Sequence, residues 1–349
     1  MLTKLKIALA QLNPLVGDVS GNTKKLIDAR SKLDNDIDIL VAPELYISGY
    51  PIDDLVLRGD FLDLVEKELN NLAKITTDNK SAIVVGAPRK DGDSIRNSVF
   101  VMEKGEIISI KDKHELPNTG VFDEQRIFEK GPLENCVKIK GVNVGLPICE
   151  DIWKETVLKK LSQSGAEIII AINASPFTIS KHDERNDIAL SRAKETKLPI
   201  VYLNRTGGQD ELIFDGSSFS LNHDGKKFSS LEEFKEDISI INFSKNNGKW
   251  TGHGNVKKNT SQSERLYKAL VVGLRDYVKN NKFSGVVLGL SGGIDSALVA
   301  AIATDAFGSK FVQAIMLPSP YTGEESLKDA RDACLLYTSD AADEGLGVD

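Results

Sequence analysis

Apolar runs of strand length recur along the first part of the chain at 6–10, 37–42, 82–86, 98–102, 142–146, 167–172 and 200–203. Helical spacing of apolar positions falls between several of them, at 22–33, 61–74, 155–164 and 185–196. Such alternation predicts an α/β fold with central sheets covered by helices. Over 246–262 the chain turns polar and rich in Gly, Asn, Lys and Ser with little periodicity, which reads as a linker. A helix is predicted at 263–280, with Leu266, Leu270, Val271, Leu274 and Val278 on one face. A strand at 286–290, a helix at 297–307 and a second strand at 311–316 then make a βαβ unit. No internal repeat is present.

With 349 residues, and about 150 residues to a domain, the chain should hold two domains or one domain and a piece of another. Its 41% hydrophobic and 27% charged residues and net charge of −7 describe an ordinary soluble protein with an acidic surface. No basic stripe offsets that charge, so nucleic acid is not an expected partner. The N-terminal residues run directly into a strand pattern without a long apolar stretch, so neither a membrane partner nor export is expected and the cytoplasm is the expected location. Cys136, Cys149 and Cys334 form no C-x-x-C pair, and His114, His182, His223 and His253 are widely scattered. Neither a disulfide framework nor a metal motif follows, and metal ligands stay unassigned.

The run Ser291-Gly292-Gly293-Ile294-Asp295-Ser296 lies between the 286–290 strand and the following helix. Adjacent glycines let the backbone approach a ligand closely, serines offer hydroxyl donors, and the helix start points unpaired N–H groups at an anion. The Walker lysine and spacing are absent. A plain glycine turn before a helix is the bland alternative. The S-G-G-x-D-S order resembles the loop of enzymes that cleave ATP between its α- and β-phosphates.

Three reactive side chains each sit just past an apolar strand: Glu44 after Val41-Ala42-Pro43, Lys113 before His114-Glu115-Leu116-Pro117, and Cys149 after Leu146-Pro147-Ile148. Strand ends of α/β folds are where sites gather. A cysteine thiolate is a strong nucleophile that needs a base or a nearby cation at neutral pH. Glu44 could take the thiol proton, and Lys113 could stabilise the thiolate and an oxyanion. Taken singly, a cysteine after a strand is more often a small core residue, and a lone Lys or Glu is more often solvated.

In that order and those surroundings the three residues resemble the Glu-Lys-Cys triad of the nitrilase superfamily. The likeness extends to Gly49-Tyr50-Pro51, Arg96-Asn97-Ser98, Val121-Phe122-Asp123-Glu124, Ile152-Trp153 and Asn173-Ala174-Ser175-Pro176, over about the first 245 residues. It implies an N-terminal nitrilase-like αββα sandwich that associates into a homo-oligomer. Followed by the phosphate loop and by Leu317-Pro318-Ser319-Pro320-Tyr321-Thr322, the whole is similar to the family of glutamine-dependent NAD synthetases. The second domain would then be the start of a parallel α/β domain of the adenine-nucleotide α-hydrolase-like (PP-loop) type. The resemblance implies a ligase that forms a C–N bond with glutamine as amido donor. Glutamine is hydrolysed through a thioester at Cys149, ammonia crosses a protected tunnel, and ATP with Mg2+ adenylates deamido-NAD(+) before ammonia displaces AMP, with no prosthetic group. It also implies that Thr119, Glu150, Ser175 and Lys181 contact the glutamine and that Ser291 to Ser296 bind ATP. Asp123 or Glu124 should lie near the triad.

Two departures stand out. Family members usually carry Tyr where this chain has Thr119, so an aromatic wall of the glutamine pocket is expected to be absent. From Cys334 the chain ceases to follow the family and resembles translated adapter sequence. The expected organisation is a glutaminase domain at 1–245, a linker at 246–262, the N-terminal part of a synthetase domain at 263–333 and a non-native tail at 334–349, with the synthetase incomplete. The rivals are a free-standing carbon-nitrogen amidase or carbamoylase, and a catalytically silent scaffold.

Overall fold

A computed structural model describes residues 3–258 and 260–337. The chain divides into two units, one running to Gly207 and resuming over Phe214–Thr260, the other made of Gly208–Ile213 and the residues from Ser261 on. The first unit contains β1 (Lys4–Gln11), α1 (Val19–Ser31), β2 (Ile39–Val41), α2 (Gly59–Ile75), β3 (Ala82–Asp91), β4 (Ser94–Glu103), β5 (Glu106–Asp112), β6 (Val137–Ile139), β7 (Val142–Gly145), α3 (Glu155–Gln163), β8 (Ile168–Asn173), α4 (Lys181–Thr196) and β9 (Ile200–Asn204). A hairpin, β10 (Thr206–Gln209) and β11 (Leu212–Asp215), leads on to β12 (Phe219–Leu221), β13 (Lys227–Ser230), β14 (Asp237–Asn246) and β15 (Lys249–His253).

Two sheets carry this unit, one in the order β15-β14-β1-β2-β3-β4-β5 and the other β13-β12-β9-β8-β7-β6. Strand β8 shows why they stack. Successive side chains of a strand point to opposite faces, and here Ile168, Ile170 and Ile172 enter a core shared with Leu5, Ile7, Leu9, Val41, Val84 and Val101 of the other sheet. Ile169 and Ala171, on the opposite face, meet Val157, Leu158 and Leu161 of α3 and Ala189 and Ala193 of α4. A strand covered on both faces is apolar along its covered length, which is why Ile168–Ile172 reads as an unbroken run. On the other sheet α2 turns Phe61, Leu62, Val65, Leu69 and Leu72 inward and packs on β3, β4 and β5. The result is the αββα sandwich.

The polar stretch read as a linker contains β15, which pairs antiparallel with β14 in the register Asn242↔His253 to Asn246↔Lys249. Only alternate side chains of this strand are buried, so composition hides it; Trp250 enters the inter-sheet core. The turn signal was present in Asn247-Gly248, which take φ of +50° and +80°, the backbone a two-residue hairpin needs. Strands β5, β6, β12, β13 and β14 were likewise not among the predicted runs.

In the second unit, α5 (Gln262–Asn280) is capped by Ser261, whose Oγ accepts from Glu264 N–H at 3.3 Å. Strand β16 (Val286–Gly289), α6 (Ile294–Phe307) and β17 (Val312–Ile315) form the expected parallel βαβ, followed by α7 (Glu324–Tyr337). Cys334 to Tyr337, the start of the segment read as non-native, continue α7, and both end residues pack beside Leu290, Ala300 and Ala330. The rest of that segment, 338–349, lies outside the described residues. Among the described residues no helix is long and apolar enough to cross a membrane.

Ile170→Ala should destabilise the first unit by about 2–5 kcal/mol, because it opens a cavity between the sheets. Ile240→Ala, at a β14 position that is 39% exposed, should change stability by less than about 0.5 kcal/mol. Urea unfolding of the two variants checks the layer assignment.

Candidate active site

Each reactive residue is fixed by its own local device. Glu44 follows β2 in a turn pressed against β3: Gly86 N–H donates to Pro43 O at 3.1 Å, and Ile47 N–H donates to Gly86 O at 3.2 Å. The approach requires glycine, since a Cβ on Gly86 would stand 2.4 Å from Leu45 N and 2.6 Å from Pro43 O. Lys113 immediately follows β5, its N–H held by Asn97 O and its carbonyl by Gly131 N–H, both at 2.8 Å. Cys149 opens a 3-10 turn, Cys149–Trp153, after β7. Its φ is +46°, a left-handed conformation that costs a non-glycine residue on the order of 1–3 kcal/mol and persists only where the surroundings over-determine it.

The side chains of Glu44 and Lys113 meet in a fully buried ion pair, Nζ to Oε1 at 2.7 Å. Nζ also donates to both oxygens of Glu124, at 2.9 and 2.8 Å. Glu44 Oε1 accepts from Asn97 Nδ2, and Oε2 from Ala174 N–H, each at 2.8 Å. Three donors thus hold a group with about four acceptor positions, leaving room for one more proton. Glu124 accepts a further bond from Tyr50 OH at 3.1 Å.

The charges act on one another. Burial alone would lower the Lys113 ammonium, but the carboxylates of Glu124 and Glu44 outweigh it and hold its pKa well above the ordinary value. Burial pushes the Glu124 carboxyl up to about 7 against the pull of Lys113, with Glu44 adding to the rise. Burial also pushes the Cys149 thiol well up; Glu44 adds to this and Lys113 opposes it. The thiol therefore rests protonated beside a carboxylate and an ammonium.

Other residues singled out by the sequence divide. Glu150, half-buried and raised by that burial, feels Lys113, Lys154 and Lys181. Ser175 is buried, its N–H on Asn204 Oδ1 at 2.9 Å and its Oγ accepting from Arg185 Nε at 3.1 Å. Lys181 opens α4 with Nζ 4.5 Å from the centroid of the Trp153 ring. Thr119 is exposed and its side chain makes no hydrogen bond to the buried cluster; its carbonyl accepts from Phe122 N–H at 3.2 Å. Of the two acids expected nearby, Glu124 joins the cluster, whereas Asp123 is exposed and pairs with Arg126.

In the second unit, Ser291 Oγ and Ser296 Oγ lie 3.1 Å apart, and Ser291 Oγ accepts from Gly293 N–H at 3.2 Å. Helix α6 begins at Ile294, inside the loop, with no side chain capping its first N–H groups. A cleft of about 350 Å³ is lined by Gly292, Gly293, Ile294, Ser296, Ala297 and Asp329, among others. Gly292 has φ +81°, and a Cβ there would stand 2.2 Å from Ser326 O. Asp295 is exposed.

Residues 6–249 match the carbon-nitrogen hydrolase family model. The chain belongs to that family. Residues 266–338 match the NAD synthase model, reaching past Ala333. The chain is 40% identical to the glutamine-dependent NAD(+) synthetase of Rhodobacter capsulatus, over 95% of its own length and 60% of the relative's. It is 41% identical to that of Xanthomonas campestris, with the same coverage. It therefore spans about three fifths of the relatives it matches. The solved glutamine-dependent NAD+ synthetase of Acinetobacter baumannii, in complex with ADP, superposes with a TM-score of 0.91 at 38% identity, over 96% of this chain and 63% of that one. A carbon-nitrogen hydrolase from Helicobacter pylori, at 20% identity and a TM-score of 0.62 over 68% of this chain and 89% of that one, shares the fold of the first unit.

Sequence reasoning left Tyr50, Asn97 and the Ala174 N–H without a role, although all three lie in segments that carried the family resemblance. Glu124 also sets a pH dependence. Its folded pKa, about 7, is above its ordinary 4.5, so between these values the folded state binds more protons than the unfolded, and stability is lost as pH rises. Glu124→Gln should flatten that fall by up to one proton, about 1.4 kcal/mol per pH unit. Urea unfolding at several values between pH 4.5 and 7.5 measures the slope; an unchanged slope would sink the assignment.

Proposed function

We propose that the first unit hydrolyses the side-chain amide of glutamine through a thioester at Cys149, and that the ammonia released serves an ATP-dependent synthesis of NAD(+) begun on the second unit. The observation that carries this reading is the buried Glu44–Lys113 pair acting on a thiol held at positive φ, in a carbon-nitrogen hydrolase fold. Glu44 has room to accept the thiol proton as sulfur adds to the amide carbonyl, while Lys113 and nearby N–H groups carry the developing charge. Collapse breaks the C–N bond, and Glu44 returns the proton to the leaving ammonia. Water, deprotonated by Glu44, then cleaves the thioester to give glutamate and the free thiol. Glu150, Ser175 and Lys181 are proposed to contact glutamine; Thr119, being exposed, is a weaker candidate.

On the second unit, the uncapped start of α6 and the serine hydroxyls of Ser291 to Ser296 would hold ATP phosphates. The carboxylate of deamido-NAD(+) attacks the α-phosphorus, releasing diphosphate, and ammonia displaces AMP from the adenylate. The names of the relatives support glutamine as the nitrogen donor and NAD(+) as the product, and the ADP bound to the Acinetobacter baumannii enzyme supports an adenine nucleotide as a further ligand. Among the described residues no group of three His, Cys, Asp or Glu could hold a metal ion. Magnesium commonly takes one or two carboxylates with substrate phosphates and water, a set that Asp295 and ATP would fit; when bound it would neutralise phosphate charge. We also propose a cytoplasmic homo-oligomer associating through the first unit, without nucleic acid, membrane or prosthetic group.

The purified chain should release glutamate from glutamine, and Cys149→Ala should abolish that release with a melting temperature within about 4 °C of the parent, roughly 1 kcal/mol for a unit of this size. Retained glutamate release by the variant refutes Cys149 as nucleophile. Gly292→Ala should weaken ATP binding at least about tenfold, roughly 1.4 kcal/mol, because it drives a methyl group into Ser326 O. Calorimetric titration with ATP reads this, and undiminished affinity would contradict the phosphate assignment.

A further inference from the structure

Lys113 and Cys149 come from different sheets, one beyond the edge strand β5 and the other beyond β7, yet their chemistry demands a fixed separation. A single buried side chain bridges the two loops. Asp151, 3% exposed, accepts from His114 N–H at 3.0 Å and Glu115 N–H at 2.8 Å on Oδ1, the two residues directly after Lys113. Its Oδ2 accepts at 3.0 Å from Ile148 N–H, the residue directly before Cys149. Its own N–H donates to Ile148 O at 3.1 Å, closing the turn in which Cys149 takes its unfavourable φ.

We propose that Asp151 is a positioning residue that sets Lys113 against Cys149, by tying the lysine loop and the cysteine turn to the two oxygens of one carboxylate. It does not reach the reacting atoms in this arrangement, and it acts through the backbone on either side. The chemistry of the site explains the residue type. Three N–H donors converge, so the bridging group must offer acceptors only, and a carboxylate is the side chain that does. Asparagine has the same shape but turns an NH2 donor toward at least one N–H, leaving a buried donor unpaired. A displacement of about 1 Å in a reacting pair can cost on the order of a hundredfold in rate, so a loop freed by that mismatch should be visible in catalysis before it is visible in folding.

As a reading of the glutaminase step this rests on the function proposed above, so the test includes a measurement independent of glutamine. Asp151→Asn, compared with the parent 349-residue chain, should slow alkylation of Cys149 by iodoacetamide, followed by peptide mass spectrometry, by at least about tenfold. With glutamine, kcat should fall by at least the same factor while KM stays within about threefold, the split expected when the reacting groups rather than the binding contacts are misplaced. Glu115→Pro removes one of the three donors from outside the cysteine turn, and is the second variant should Asp151→Asn prove insoluble; it too should slow alkylation. A folded variant that alkylates at the parental rate overturns the proposal. If the parent hydrolyses no glutamine yet the alkylation difference is found, the bridge stands and the choice of substrate falls.

Discussion

A lysine ammonium with no solvent exposure is the constraint around which the first unit is arranged. Removing such a charge from water costs several kcal/mol even after relaxation, and the cost is tolerable only when acceptors are already in place. Lys113 meets it with Glu44 at 2.7 Å and both oxygens of Glu124. One ammonium between two carboxylates leaves a formal charge of −1 when all three are ionised. Burial, with that surplus adding to it, lifts Glu124 toward neutrality and keeps the thiol of Cys149 protonated. The same imbalance suits the proposed chemistry: a thiol that rests protonated needs a base alongside, and Glu44, anchored by Asn97 and the Ala174 N–H, is the carboxylate positioned to serve.

Holding three loops to such tolerances explains features that look excessive for stability alone. The cysteine turn is braced from outside as well as beneath: Arg192 of α4 donates to Ile152 O at 3.1 Å and Trp153 O at 2.9 Å. Arg185, two turns earlier on the same face of α4, is fully buried against Asp215 at 2.7 Å and donates to the carbonyls of Ser175 and Pro176. Helix α4 has few large apolar residues, and these guanidinium bonds take over part of what packing does for α3. A helix fixed by arginines to loop carbonyls fixes those loops in return. Local φ strain at Cys149 can then persist, because the alternative conformations are excluded from several sides.

Much of this was legible in the chain. Unbroken apolar runs such as Ile168–Ile172 marked the covered strands, and Glu44 and Cys149 could be picked out because each follows such a run, whereas Lys113, which follows the half-exposed β5, stood out through the family resemblance. Edge strands were not legible: β15 buries only alternate residues, and β5 exposes one face to solvent, so neither makes an apolar run. The choice between Asp123 and Glu124 was also beyond sequence. They are neighbours at a 3-10 turn, equal in charge, and only the tertiary fold decides which faces Lys113 and which faces Arg126. Backbone donors such as the Ala174 N–H carry no residue signature at all.

The two units differ in how far they satisfy their own surfaces, and this bears on how separable their chemistry is. In the first, both sheets bury their facing sides in one core and are covered outside by helices. In the second, Val287 of β16 and Ile294, Leu298 and Val299 of α6 are exposed, and the buried cluster is small. A parallel pair and an apolar helix normally have cover on all sides. The Ser291–Ser296 loop nonetheless keeps its form, because its shape is set locally by two glycines, two serine hydroxyls and the start of α6. The buried cluster around Lys113 depends instead on contacts between residues far apart in sequence, such as Glu44 with Ala174 and Lys113 with Glu44. Damage to the sandwich core should therefore reach the thiol site first, whereas the Ser291–Ser296 turn answers chiefly to its own six residues and the segment packed against Gly292.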